Sequence, residues 1–345
     1  MQIHVNLKNF AFCVVALFFL YLIYVLWGRG DSAFPEIWMD LPDLVNYCVL
    51  AAEAGGLAVR DIHSEKQLMA ESKGKTLEGA QEFVTRADLV SNHLIMDVLS
   101  RFPGVKVVSE EKSGISEEKV SPYKRNNHEL WLTHKDLVER LPKERVALSE
   151  LTVWVDPLDA TQEYTEDLVE FVTVMICIAL RGRPKVGIIY RPFFNQTVLG
   201  FVGGGVYTST GGKVEQVLGP TSEPIKRIVV SRSHSGDVKS RALKAFGSSY
   251  QVEPVGGAGY KVIRVLNGTA AMYVHVTAIK KWDICAGDAV MRSVNGKMLT
   301  LQGREISYDP KEKVTSDNGL MVSLRNTFQY LAKWQGNTAS TTDVR

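Results

Sequence analysis

The sequence predicts a chain in two differently built halves, α+β first and α/β second, behind an apolar N-terminal segment. Three observations predict this. Two stretches before residue 105 carry helical apolar spacing. Short β-branched strands crowd residues 151–212. From residue 225 a strand–helix alternation begins and runs to about residue 307.

The elements follow in chain order. "FAFCVVALFFLYLIYVLW" (10–27) is about 18 residues without a charge, the minimum for crossing a hydrocarbon core. A cleaved signal peptide would have a shorter apolar region ending in small residues. Here the run ends in Leu26, Trp27, Gly28 and Arg29, and Tyr21, Tyr24 and Trp27 are placed as interface anchors, so the segment reads as an uncleaved membrane anchor. Lys8 before the span and Arg29 after it leave a slight bias towards a cytosolic N-terminus (1–9) and a lumenal body. The sequons at Asn195 and Asn267 are then available for glycosylation, though two sequons in such a chain are close to chance.

Residues 28–39 read as a linker. "LPDLVNYCVLAAEAGGLAVRDIHS" (41–64) and "RADLVSNHLIMDVLSRF" (86–102) read as amphipathic helices, and "VKVVSEE" (105–111) as a strand. Residues 112–150 are mixed and charged, loop plus helix. "LTVWV" (151–155) is a buried strand. "VTVMICIALRGRPKVGIIYRPF" (172–193) is two antiparallel strands around an Arg-Gly-Arg-Pro turn. A folded domain over 40–330 divides at about 40–215 and 222–325. Residues 331–345 read as a disordered Thr- and Ser-rich tail.

Composition excludes some classes. The chain is 45% hydrophobic over 345 residues, enough for a large core. Forty basic residues against 38 acidic ones give a net charge of +2, without the basic excess of a nucleic-acid binder. Cys13, Cys48, Cys177 and Cys285 form no C-x-x-C, which argues against a zinc knuckle, a dithiol redox site and a disulfide framework.

The chemistry lies in carboxylates at strand ends. "VVSEE" delivers Glu110 and Glu111, "VWVDPLD" delivers Asp156 and Asp159, and "KKWDICAGDA" delivers Asp283 at a helix start. Asp88 opens another helix. Each aspartate alone is also explained as a turn or cap residue. Together with Glu110 they would repel one another unless cations lay between them, and hard divalent ions take such oxygen ligands.

"VVSEE", "DPLDAT" and "KKWDICAGDA" resemble the three signature blocks of the inositol monophosphatase superfamily of Mg²⁺-dependent, Li⁺-sensitive phosphatases. "DPLDATQEYTE", "SRSHSG" and "GGAGYK" resemble its branch acting on 3′-phosphoadenosine 5′-phosphate. The resemblance covers about residues 40–325. It implies a layered α/β/α/β/α sandwich of the inositol monophosphatase/fructose-1,6-bisphosphatase type, behind one N-terminal transmembrane helix. It implies a 3′(2′),5′-bisphosphate nucleotidase that forms AMP and phosphate by attack of an activated water. Two or three Mg²⁺ ions would bind at Glu110, Asp156, the Leu158 carbonyl, Asp159 and Asp283, with Li⁺ as inhibitor. Asp88 and Thr161 would be catalytic. Asp156, Thr161, Ser231, His234, Gly257, Lys261 and Asp283 would bind substrate, Lys261 at the 5′-phosphate. With the anchor, the resemblance implies a single-pass type II protein of the Golgi membrane with a lumenal catalytic domain.

From the residues alone, Ser231 and His234 also suit a polar helix N-terminus, and the glycines around Gly257 suit a turn serving only the backbone. Ala160 and Ser109 stand where many family members have glycine. The alternatives are an inositol (poly)phosphate phosphatase of the same fold and an inactive membrane-anchored metal- or nucleotide-binding protein. Oligomeric state is left open.

Overall fold

A computed structural model describes residues 7–27, 36–66, 70–75, 81–102, 104–112, 114–209, 212–214, 225–232 and 237–339. Pro42 in the first turn and apolar residues at helical spacing begin the Leu41–Ser64 helix, at the bounds its periodicity predicts. Thr85 caps the next helix, Arg86–Ser100, by accepting from the Ala87 amide. The two helices pack on each other and on one face of a seven-stranded sheet.

The sheet runs, edge to edge, Gly212–Val214, Gly205–Thr208, Gln196–Phe201, Arg183–Arg191, Thr173–Leu180, Leu151–Asp159 and Lys106–Ser109. Leu151–Asp159 and Thr173–Leu180 are buried on both faces, so up to Asp156 in the first and throughout the second they read as largely apolar runs rather than as alternation. The expected hairpin turns at Arg181 and Gly182, both at positive φ, which suits the right-handed twist of its strands.

The Ala258–Leu266 and Lys281–Ser293 helices cover the second face of this sheet and rest on a five-stranded sheet beyond it. In that sheet Gln251–Val255, Arg227–Ser231 and Met272–His275 are parallel, as the alternation predicts. Leu320–Ser323 and Lys297–Leu299 join antiparallel. Val238–Phe246 and Thr327–Ala339 cover its outer face. The layers run helix, sheet, helix, sheet, helix, as expected.

Three expectations need correction or delimitation. The tail is not disordered over 331–339: Thr327–Ala339 is a helix, and Leu331 and Trp334 bury their side chains against the second sheet, which a polar composition average conceals. Residues 340–345 lie outside the described residues, as do 1–6 and 28–35 of the expected N-terminus and linker. Cys177 and Cys285 form a disulfide across 108 residues, while Cys13 and Cys48 are free. Sequence spacing carried no sign of it, because the pairing is set by a helix docking on a strand. Finally, among the described residues no helix is long and apolar enough to cross a membrane. The 10–27 segment lies within the Leu7–Trp27 helix, whose side chains are described only over 12–25.

Candidate active site

A bulge in one strand begins the site. Leu151–Asp159 pairs regularly with Thr173–Leu180 as far as Asp156↔Met175, then shifts register so that Asp159 faces Thr173. Pro157 has no N–H to give to a ladder, so the bulge falls where pairing is already broken. Asp156 closes it with Oδ1 accepting from the Leu158 amide at 3.1 Å. From the neighbouring helix, Ser91 Oγ donates to the Pro157 carbonyl at 2.7 Å.

Parallel pairing then brings in Glu110. Ser109 is in register with Val155, and the Glu110 amide donates to the Val155 carbonyl at 3.1 Å, which sets Glu110 beside Asp156. Asn92 braces this loop, accepting from Ser109 Oγ and donating to the Glu111 carbonyl. Asp283 arrives from the first turn of Lys281–Ser293, where Oδ2 accepts from the Lys280 amide at 3.2 Å. One ligand oxygen each from Glu110, Asp156 and Asp283 lies within 4.8 Å of the others. Residues 173 positions apart in the chain are thus gathered at one point.

This proximity is costly without a cation. Burial pushes Asp156 and Asp283 well above the usual carboxylate range, and Glu110 and Asp159 push both further. Glu110 is raised to about 7, chiefly by burial, with Lys73 opposing. The donors are all carboxylate oxygens, which fits a hard divalent ion such as Mg²⁺ and no softer metal. Lys73 reaches the same cluster from the Glu71–Lys75 strand, pairing with Glu110 at 3.1 Å and closely with Glu111.

Thr161 and Asp88 meet through their side chains. Thr161 Oγ1 lies 3.1 Å from Asp88 Oδ1 and 3.1 Å from the Leu158 carbonyl. Asp88 Oδ2 accepts from both the amide and the hydroxyl of Thr85, at 2.7 and 2.6 Å. Burial raises Asp88 to about 6, and these bonds limit the rise.

Asp159 is placed differently from Asp156. Its carboxylate accepts from the amides of Ala258 and Gly259 at 3.0 and 2.9 Å and from Thr173 Oγ1 at 2.9 Å, holding the start of the Ala258–Leu266 helix. It lies near enough to Asp156 and Asp283 to raise both, but is not one of the three converging acids. The Gly-rich turn serves this contact. Gly257 has φ +63°, and a Cβ there would stand 2.4 Å from the Phe171 carbonyl oxygen; one on Gly259 would stand 2.5 Å from Thr173 Oγ1.

Lys261 is buried one helical turn further on. Its Nζ donates to the Val255 carbonyl at 3.2 Å and lies 5.1 Å over the Tyr273 ring. Burial lowers it to about 8, with Asp159 opposing. Ser231 is buried at the end of Arg227–Ser231, and His234 lies outside the described residues.

Sequence reasoning missed Lys73, Thr85, Ser91, Asn92 and Thr173. The Thr85-x-x-Asp88 pattern is a capping signal and was there to be found. Lys73, Ser91 and Thr173 act on partners 14 to 66 positions away, and no local pattern marks them.

The inositol monophosphatase family matches residues 42–337. The Golgi-resident adenosine 3′,5′-bisphosphate 3′-phosphatase of Mus musculus is 40% identical over 313 residues, covering 89% of this chain and 84% of its own. Inositol monophosphatase 3 of Xenopus tropicalis is 38% identical over 335 residues, covering 91% and 89%. A solved inositol monophosphatase/NADP phosphatase complexed with Mg²⁺ and phosphate shares the fold at a TM-score of 0.55 and 19% identity, covering 80% of this chain and 90% of its own.

Proposed function

The chain belongs to the inositol monophosphatase family, and from that premise we propose that it is a Mg²⁺-dependent phosphatase hydrolysing 3′-phosphoadenosine 5′-phosphate to AMP and phosphate. One observation carries the reading: Glu110, Asp156 and Asp283 converge beside the Thr161–Asp88 pair. These three acids, with Asp159 and the Leu158 carbonyl on the adjoining loop, would hold two or three ions, and Li⁺ would inhibit through the same oxygens. When bound, the ions neutralise the non-bridging phosphate oxygens and the departing 3′-oxygen.

The chain's own residues handle the proton. Ionised Asp88 draws the Thr161 hydroxyl proton towards Oδ1, which leaves the Thr161 oxygen free to accept from a water. As that water attacks phosphorus, its proton passes to Thr161 and the Thr161 proton to Asp88. The P–O3′ bond breaks, and the 3′-oxygen takes a proton from solvent. A pKa of about 6 suits a base working near neutrality.

The two relatives bear different substrates in their names at nearly equal identity, so identity does not choose between them. Lys261 favours the bisphosphorylated nucleotide. It brings a buried positive charge beneath the Gly256–Gly259 turn, and an inositol monophosphate would offer it no second phosphate. Gly257 would give backbone access there, and Ser231 and His234 would also contact the nucleotide.

We also place the folded domain, 40–330, in the Golgi lumen behind a type II anchor at 10–27. The Golgi-resident relative supports this. So do the exposed apolar side chains Phe12, Leu17, Phe18, Tyr21 and Tyr24 in the Leu7–Trp27 helix. The disulfide suits an oxidising compartment. Asn195 and Asn267 would then carry glycans.

The test is phosphate release by the full chain from the nucleotide bisphosphate and from inositol phosphates, with and without Mg²⁺ and Li⁺. Mg²⁺-dependent, Li⁺-sensitive release from the nucleotide, lost in Asp156→Ala, is expected. Preference for inositol phosphates would overturn the substrate assignment, and an active Asp156→Ala enzyme would overturn the site.

A further inference from the structure

The Cys177–Cys285 bridge joins the two elements that deliver opposing carboxylates. Cys285 lies two residues after Asp283 in the Lys281–Ser293 helix. Cys177 pairs in register with Trp154, two residues before Asp156. Both cysteines are buried, with Cα atoms 5.6 Å apart.

Beside the bridge the helix lies directly on backbone. Gly187 is the register partner of Cys177 on the next strand, and Gly200 is the partner of Gly187. A Cβ on Gly187 would stand 2.1 Å from the Ala286 carbonyl oxygen, and one on Gly200 would stand 2.5 Å from Val290 Cα. The helix therefore rests along a row of glycines, and the bridge fastens the end of that row nearest the carboxylates. There the electrostatics oppose docking. Asp283 carries like charge to Asp156 and Glu110, so repulsion acts to lift the first helical turn off the sheet.

We propose that the Cys177–Cys285 disulfide is a positioning element of the metal site. It holds Asp283 against Asp156 and Glu110 when no cation is bound, so divalent-ion affinity depends on the pair being oxidised. Forming the bridge removes two protons and two electrons from the thiols. A protein disulfide of the oxidoreductase class accepts the electrons by thiol–disulfide exchange and is reduced to a dithiol. The inference rests on the proposed metal-binding role of the three acids.

The experiment compares Mn²⁺ binding, followed by electron paramagnetic resonance without substrate, in the native full chain, the Cys177→Ala/Cys285→Ala variant and Val229→Ala. Val229 lies in the same core cluster but on the second sheet, outside the two elements that the bridge joins. The double variant is expected to bind Mn²⁺ roughly tenfold more weakly, as when a group supporting metal ligands is lost. Val229→Ala is expected to melt earlier with unchanged affinity. Affinity in the double variant within twofold of native, or an equal loss in Val229→Ala, reduces the bridge to a stability element and overturns the proposal. If the alanine pair does not fold, Cys177→Val/Cys285→Ala is read the same way. Disulfide mapping of the unreduced native chain decides independently, since free thiols at both positions would overturn the inference. A native chain that binds no Mn²⁺ removes the metal-site reading itself, and the inference with it.

Discussion

Replacing Asp156 with asparagine should stabilise the metal-free protein while abolishing catalysis. Asparagine keeps the shape and the oxygen that accepts from the Leu158 amide, and removes only the charge. At 4.8 Å, two carboxylates in surroundings of effective dielectric about 20 repel by about 3.5 kcal/mol. Asp156 avoids part of this by holding a proton, since burial and its neighbours raise its pKa. That proton has its own cost at pH 7, where an unfolded aspartate is ionised. With a free pKa near 3.9, the cost at pH 7 is capped at about 4 kcal/mol. The substitution should recover about 2–4 kcal/mol, raising the melting midpoint in EDTA by roughly 5 °C or more. Because the folded pKa lies above the unfolded one, the native penalty grows as pH rises above 4. The advantage of the variant should therefore shrink towards pH 4. Mg²⁺ should raise the native midpoint and leave the variant's nearly unchanged. Calorimetry at pH 7.5 and pH 4.5, with EDTA or Mg²⁺, measures all of this. A variant no more stable than native in EDTA at pH 7.5 would refute the account of a strained carboxylate cluster.

Other consequences follow from single contacts. Thr161→Ala removes the hydroxyl between Asp88 and the Leu158 carbonyl and should lower kcat by about 10²–10⁴ with little change in KM, in steady-state assays. Activity should fall on the acid side near pH 6 as Asp88 protonates; Asp88→Asn should lose activity at all pH values, and an unmoved acid limb in a residually active variant would remove Asp88 from the base role. Ala160 sits at φ +72°, where a Cβ costs about 1 kcal/mol, so Ala160→Gly should leave stability within about 1 kcal/mol of native or raise it, as denaturant titration would measure. Gly257→Ala drives a Cβ into the Phe171 carbonyl and should cost roughly 2 kcal/mol or more, with activity lost as the Asp159 contacts loosen.

Much of this was legible in sequence because the signals were local. The Leu41–Ser64 and Arg86–Ser100 helices are marked by apolar period and start residues, and the hairpin at Arg181–Gly182 by its turn. The acids stood out because three strand or loop ends release them, and Thr161 came in through the family resemblance of the "DPLDAT" block. What stayed hidden is set by tertiary docking. Asp159 also holds a helix start, which depends on where residues 258–259 come to rest. Lys73 meets Glu110 across 37 positions, and Cys177 meets Cys285 across 108. The departure at Ala160 could be noticed in sequence, but its left-handed backbone could not. The C-terminal helix was hidden because Leu331 and Trp334 are two apolar residues in a polar stretch, and only the second sheet gives them something to cover.

The central claim, that acids far apart in the chain share cations, is tested most directly by anomalous diffraction from crystals of the protein grown with Mn²⁺. The account predicts anomalous peaks within coordination distance of Glu110, Asp156 and Asp283, all lost in Asp156→Ala. Peaks elsewhere, or none at these three residues in crystals of active enzyme, would contradict it.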